Sequence, residues 1–389
     1  MITAAPESVG LVPERLIKAM AVLDDAVADS RIGGAVFGMV REGKLAFLQA
    51  VGYRDTAKTE RMRPDAIFPL ASMTKPIASV AAMILVERAR MLLTDPIERF
   101  LPAFRDAKVL TTYGLEPTRL PITLLDLLRH TAGIGSATVY PDSPVGKLYA
   151  QAGVHDPEQP LAACIDKLAA VPLMHQPGTI WDYSISTDVL ARVVEVVSGT
   201  SFQHYVAEQV TKPLQMVDTS FVAPEAEWDR LTEPCIDQLT SELPPRQDGR
   251  LLPARIGGNS GLVGTASDYL RFCQMILDGG TLEGTRLLGA GTVAHMSRDH
   301  LGAIPHNTPT GNWLLGPGRG FGLGFAVDLG GNAHPHPGSS GSFFWGGAFG
   351  TQFVIDPKHR MAAVMMINQR NQFDWCLNVF RPLVYQALA

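Results

Sequence analysis

The sequence predicts an α+β fold: one antiparallel sheet built from both ends of the chain, flanked by N- and C-terminal helices and interrupted by a mostly helical insertion. Three observations carry that expectation. Strand-like apolar runs cluster near the N-terminus and again after residue 320, amphipathic helices stand at both ends, and residues 101–255 show helical patches without strand alternation. Residues 1–100 and 256–389 are therefore expected to form the sheet domain, with 101–255 as the insertion.

The elements follow in order. Within 11–30, Leu16, Met20, Leu23 and Val27 recur at spacings of three and four, an amphipathic helix. The apolar runs 35–40 and 45–51 flank Arg41-Glu42-Gly43-Lys44 and read as a β-hairpin. Residues 72–90 read as a helix, with Ile77, Val80, Ile84 and Leu85 on one face and a charged end at Glu87, Arg88 and Arg90. Inside the insertion, helical patches at 123–129, 161–171 and 186–198 alternate with Pro/Gly-rich loops. A further helix spans 267–278. The runs 321–327, 350–355 and 361–367, separated by turns bearing Gly, Asp or Pro, read as strands, and a last helix covers 374–387.

Composition narrows the function classes. Of 389 residues, 46% are hydrophobic and 18% charged, enough apolar material for a large core. A net charge of -5 without a basic run argues against nucleic acid or an acidic membrane surface as partner. No apolar run approaches the roughly 20 residues of a bilayer span. The first residues lack the basic start and apolar core of a secretory leader, so a cytoplasmic location is expected, although a chain trimmed of its leader would read the same. Cys164, Cys235, Cys273 and Cys376 are far apart, without CxxC spacing or a His at ligand spacing; buried free thiols and no metal are expected.

Ser72 and Lys75 stand three apart, so on a helix their side chains share a face. An amine beside a hydroxyl is a usable base only when it is neutral, and burial or nearby positive charge lowers the value of about 10.4 that a free Lys shows. Pro76 is tolerated only in a first helical turn, which places Ser72 near a helix start, where the amide has no intrahelical partner and is free to bind an oxyanion. Alone, Ser-x-x-Lys is a weak signal that chance supplies in many proteins.

The surroundings sharpen it. The segment Phe68-Pro69-Leu70-Ala71-Ser72-Met73-Thr74-Lys75 resembles the nucleophile segment of the penicillin-binding and class C β-lactamase-like serine hydrolases. Segments 124–133, 176–184 and 261–268 and the tripeptide Trp345-Gly346-Gly347 resemble the same family in the same order. The resemblance implies a β-lactamase/transpeptidase-like fold, a nucleophilic Ser72 and no cofactor. It also implies that Tyr183, at the tyrosine of the family's Tyr-x-Asn motif, is the partner base. Two departures matter. Ile185 replaces the Asn of that motif and cannot donate to a lactam amide. Trp345 replaces the Lys of Lys-Thr-Gly; Trp-Gly-Gly looks like the motif of the β-lactamase-like family VIII carboxylesterases.

The expected substrate is accordingly a small-molecule carboxylic ester, with Trp345, Gly346, Gly347 and Ile185 binding it. The amides of Ser72 and Ala348 form the oxyanion hole, and Phe344, Phe349, Tyr140 and Trp313 are candidate pocket walls. Rival readings are a β-lactamase or D-amino-acid peptidase using the same serine, an acyltransferase, and a non-catalytic binding protein that keeps the fold. His130 falls in a structural turn of the family, and His334 and His336 in a Pro-rich loop suit a solvated or rim position. No GxSxG elbow, phosphate loop or HExxH is present.

Overall fold

The computed structural model describes residues 1–136, 140–236, 241–243, 249–331 and 336–389. Helix α1 (Pro13–Ala28) buries Leu16, Leu23 and Val27 and leads into strands β1 (Gly34–Arg41) and β2 (Lys44–Gly52). Glu42 and Gly43, with φ of 51° and 73°, supply the positive-φ pair that a two-residue hairpin needs. After β3 (Phe68–Pro69), a 3-10 turn at Ala71–Met73 precedes α2 (Thr74–Glu87). The insertion holds the hairpin β4 (Lys108–Thr111) and β5 (Gly114–Pro117), then α3 (Leu124–Leu128), α4 (Pro144–Gln151), α5 (Leu161–Ala169), α6 (Ser186–Ser198) and α7 (Phe202–Val206).

Strand β6 (Val263–Gly264) then pairs antiparallel with β3. It is followed by α8 (Ala266–Leu277), the small hairpin β7 (Thr281–Leu282) and β8 (Thr285–Arg286), α9 (Ala290–Met296) and α10 (Pro309–Leu314). Five strands and a helix complete the chain: β9 (Arg319–Phe321), β10 (Ala326–Asp328), β11 (Phe343–Gly346), β12 (Gln352–Asp356), β13 (Met361–Ile367) and α11 (Phe373–Tyr385).

The main sheet runs β2-β1-β13-β12-β11-β10-β9, antiparallel throughout, so β1 from one chain end lies beside β13 from the other. The expected α+β arrangement is present, and no strand of this sheet comes from 101–255. Successive residues of β1 show that both faces are covered. Phe37 meets Phe380 of α11, while a Cβ at Gly38 would lie 2.9 Å from Leu270 of α8. A strand buried on both sides reads as a continuous apolar run, and all seven residues of β13 are buried.

Several details differ from the sequence reading. The run 321–327 is two strands, broken where Gly324 (φ 96°) passes so close to α2 that a Cβ would lie 2.4 Å from Ser79 Oγ. The β4–β5 hairpin was not expected within the insertion, because Lys108, Gly114, Leu115 and Pro117 are exposed and leave no buried alternation to read. Helix α4 and the short pair β3–β6 also went unpredicted. All four cysteines are buried and free, as expected. Among the described residues no helix is long and apolar enough to cross a membrane.

Helix α8 begins at an N-cap, Thr265, whose hydroxyl accepts from the amide of Asp268. Burial pushes the Asp268 carboxyl up to about 6, although it accepts from the Asp218 amide (2.8 Å) and the Thr219 hydroxyl (2.9 Å). A folded-state value above the ordinary 3.8 means that the folded chain holds this proton more tightly than the unfolded one. The associated stability is complete below pH 3.8 and is lost as pH rises through about 6. Asp268→Asn keeps an acceptor and removes the charge. Denaturant titrations at pH 4 and pH 7 are expected to show a smaller fall with pH in the variant, by up to roughly 3 kcal/mol. An identical fall in both proteins would refute this assignment.

Candidate active site

Ser72 is delivered by backbone geometry before any side chain acts. Phe68 and Pro69 pair with Gly264 and Val263, and Ala71 then adopts φ 46°, a left-handed conformation that a non-Gly residue holds only when its surroundings impose it. Ser72 thus lies in the 3-10 turn before α2 rather than in the helix itself. Pro76 falls in the first turn of α2, where its missing N–H costs no hydrogen bond. Lys75, one turn beyond Ser72, is only 2% exposed.

Three segments converge on the serine. The Tyr183 hydroxyl donates to Ser72 Oγ at 2.8 Å, and the Lys75 ammonium donates to the same oxygen at 3.1 Å. Lys75 also donates to the Asn259 carbonyl at 2.9 Å and lies 4.6 Å from the Tyr183 ring centre. The Tyr183 ring packs against His130 (4.9 Å) and Trp345 (5.2 Å). Burial, and then the charge of Lys75, push His130 well below the ordinary imidazole range, so its ring is a neutral wall for Tyr183.

Strand β11 supplies the opposite side. Trp345 faces Tyr183 and Phe321, whereas the alternation of the strand turns Phe344 to the other face, between the guanidiniums of Arg319 (4.7 Å) and Arg381 (4.2 Å). Phe344 is therefore not a pocket wall, contrary to the expectation. A Cβ at 346 would meet the Gln352 side chain at 2.7 Å, and one at 347 would lie 2.2 Å from Thr351 Oγ1 and 2.6 Å from the Leu70 carbonyl oxygen. Both glycines let the end of the strand close on the Ser72 turn. Ala348 follows, exposed to the cavity that Ser72 also borders. Neither amide donates a backbone hydrogen bond among the described residues.

That cavity measures about 1640 Å³. Ile185, Tyr140, Trp313 and Phe349 line it, as does Gly346. His155, Glu158, Asp188 and Arg255 also stand in its wall, and no motif marks them. His336 does not border it, and His334 lies outside the described residues. Among the described residues, no three His, Cys, Asp or Glu side chains converge as a metal site.

Asp182, next to Tyr183, organises the rim. Its Oδ1 accepts from Tyr140 (2.5 Å) and Thr310 (2.5 Å), and its Oδ2 faces His175 Nε2 at 2.9 Å. Burial and then the Asp182 bond raise the Tyr140 phenol above its usual range. Thr310 belongs to α10, whose Trp313 donates to Asp374 at 2.6 Å and packs on Phe373 of α11. Helix α10 is thereby tied to Asp182 at one end and to α11 at the other. Thr310→Val leaves part of Asp182 unsatisfied and is expected to lower stability by about 1–3 kcal/mol in denaturant unfolding. Wild-type stability would show that this bond does not hold the helix.

A twisted antiparallel sheet covered by helices on both faces, with a serine on the turn into a helix and a lysine one turn on, defines the β-lactamase/transpeptidase-like class. The chain belongs to the beta-lactamase family, whose profile matches residues 19–378. It is 32% identical over 370 residues to Esterase EstB of Burkholderia gladioli, covering 90% of this chain and 89% of that one. It is 33% identical over 354 residues to Protein Rv1367c of Mycobacterium tuberculosis, covering 86% of each. Among solved structures, EstCE1, a hydrolase with promiscuous acyltransferase activity, superposes with a TM-score of 0.81 at 27% identity, covering 96% of this chain and 99% of that one. Family and relatives together make the protein a serine hydrolase of the β-lactamase fold.

Proposed function

We propose that the protein is a carboxylesterase that works through a covalent acyl-enzyme on Ser72. The observation that carries this reading is the convergence on Ser72 Oγ of the Tyr183 hydroxyl and the Lys75 ammonium at the wall of an open cavity. In the reacting form Tyr183 is a phenolate beside the Lys75 cation, and it takes the serine proton as Ser72 Oγ bonds to the ester carbonyl carbon. The amides of Ser72 and Ala348 receive the oxyanion. The C–O bond to the alcohol breaks, and the leaving oxygen takes the proton from Tyr183. Water then attacks the acyl-enzyme by the same route and releases the acid. Lys75 supplies the positive charge that stabilises the negative oxygens formed on the way.

Two residues support esters over lactams. Ile185, buried and bordering the cavity, offers no amide to a lactam side chain, and Trp345 presents an apolar ring where lactam enzymes carry a cation. The volume widens the reading from small esters to bulkier ones, since about 1640 Å³ exceeds the 300–1,000 Å³ of common ligand pockets. The likeness to EstCE1 supports a second outcome from the same intermediate, in which an alcohol replaces water.

The test is turnover of p-nitrophenyl acetate, butyrate and a bulky aryl ester beside a chromogenic cephalosporin. Ester turnover is expected to exceed lactam turnover. Ser72→Ala is expected to abolish it, and Tyr183→Phe to lower kcat by about 10²–10⁴-fold. Equal nitrophenol release by wild type and Ser72→Ala would end the proposal, and faster lactam turnover would move it to a lactamase. Gly347→Ala is expected to displace the Ala348 amide and cost about 10²–10³ in kcat; unchanged kcat would remove that amide from the oxyanion hole. Added butanol is expected to divert part of the acyl group into butyl ester.

A further inference from the structure

We infer that Asp188 is a positioning residue of this site: it clamps the turn at 257–259 onto the start of α6, so that the Asn259 carbonyl holds the Lys75 ammonium on Ser72. The inference rests on the proposed role of Ser72 and names a residue that the motifs do not mark.

Asp188 lies in the first turn of α6 and is 6% exposed. Its Oδ1 accepts from the Asn259 amide at 2.8 Å. The turn approaches so closely that side chains have no room. A Cβ at 257 would lie 2.2 Å from Asp188 Oδ1, and one at 258 would lie 2.4 Å from the Thr187 carbonyl oxygen and 3.1 Å from Ala78 of α2. Asn259 is thus gripped on its amide by Asp188 while its carbonyl faces Lys75 at 2.9 Å. The hydrogen bonds of Lys75 go to Ser72 and to this carbonyl. Ile185, three residues before Asp188, is apolar and offers the ammonium no acceptor.

The backbone carbonyl therefore carries a task that a side chain cannot perform here, and it performs it only if the turn stays down. Burial raises the Asp188 carboxyl while the backbone amides, Arg255 and Lys75 pull it back. The carboxylate thus also lies within the electrostatic reach of the lysine whose anchor it holds.

The decisive measurement is the second-order rate at which a fluorophosphonate labels Ser72, per folded molecule, together with kcat and KM on p-nitrophenyl butyrate. Misplacing Lys75 is expected to slow labelling and kcat by about 30–100-fold in Asp188→Ala, with KM within about threefold of wild type. Gly257→Ala, which pushes the turn off from the other side, is expected to give a similar loss. Asp188→Asn keeps an acceptor for the Asn259 amide and is expected to recover to within about fivefold. On a Lys75→Met background, Asp188→Ala is expected to add less than about threefold, because it acts through that lysine.

Labelling of Asp188→Ala at the wild-type rate, equal losses in the Asn and Ala variants, or full additivity with Lys75→Met would each overturn the inference. If Asp188→Ala fails to fold, Gly257→Ala set against Asp188→Asn decides the same question. A wild-type protein that the probe does not label at Ser72 would instead sink the nucleophile itself.

Discussion

Seven residue pairs between β1 and β13, from Ala35 opposite Ile367 to Arg41 opposite Met361, join the two ends of the chain in one sheet. Everything at the site inherits its position from that pairing. Beyond β13 lie β12 and then β11, the strand that carries Trp345 to the cavity. On the other side, the chain leaving β1 and β2 returns through β3 into the Ser72 turn. The close approach of Gly347 to the Leu70 carbonyl is where the two routes meet. An antiparallel ladder is specified by its register, since a slip of one residue would exchange its faces. Here such a slip would place Phe344 where Trp345 now meets Tyr183.

Much of this was legible in the residues. The apolar runs that became β1, β2 and β13 are long and flanked by turn chemistry, so their pairing partners were few. Ser72, Lys75, Tyr183 and Trp345 were legible because a motif fixes their type and order, and the structure sets the first three within hydrogen-bonding reach. Phe344 was misread because a run of three aromatic residues has no parity until the strand has a register. The β4–β5 hairpin was missed because an exposed strand carries no burial pattern. Asn259 was invisible for a deeper reason. It acts through a main-chain carbonyl, and that atom is common to every residue, so no side chain announces it. Asp188 stands in a first helical turn, where favourable interaction with the helix dipole accounts for an acid without any partner.

The electrostatics of the pocket follow from burial more than from net charge. Lys75 is withdrawn from water and meets a hydroxyl, a carbonyl and the face of a phenol ring. His130, also withdrawn, is kept neutral partly by that lysine, so a second cation does not compete beside Tyr183. A buried ammonium surrounded by oriented dipoles has little reorganisation left to undergo when charge moves to a neighbouring oxygen. The apolar face of Trp345 completes the enclosure beside Tyr183.

Helix α10 separates two properties that enzymes often entangle. One of its ends is fastened beside Tyr183 through Thr310 and Asp182, and the other reaches α11 through Trp313 and Asp374. Trp313 borders the cavity and is held by Asp374 and Phe373 of α11, so the aperture can be re-cut by substitutions that leave the reacting atoms where they are. A lineage carrying this arrangement can change which molecules it admits while inheriting its chemistry intact. Divergence among relatives is then expected to concentrate in the rim helix and to spare the turn beneath it.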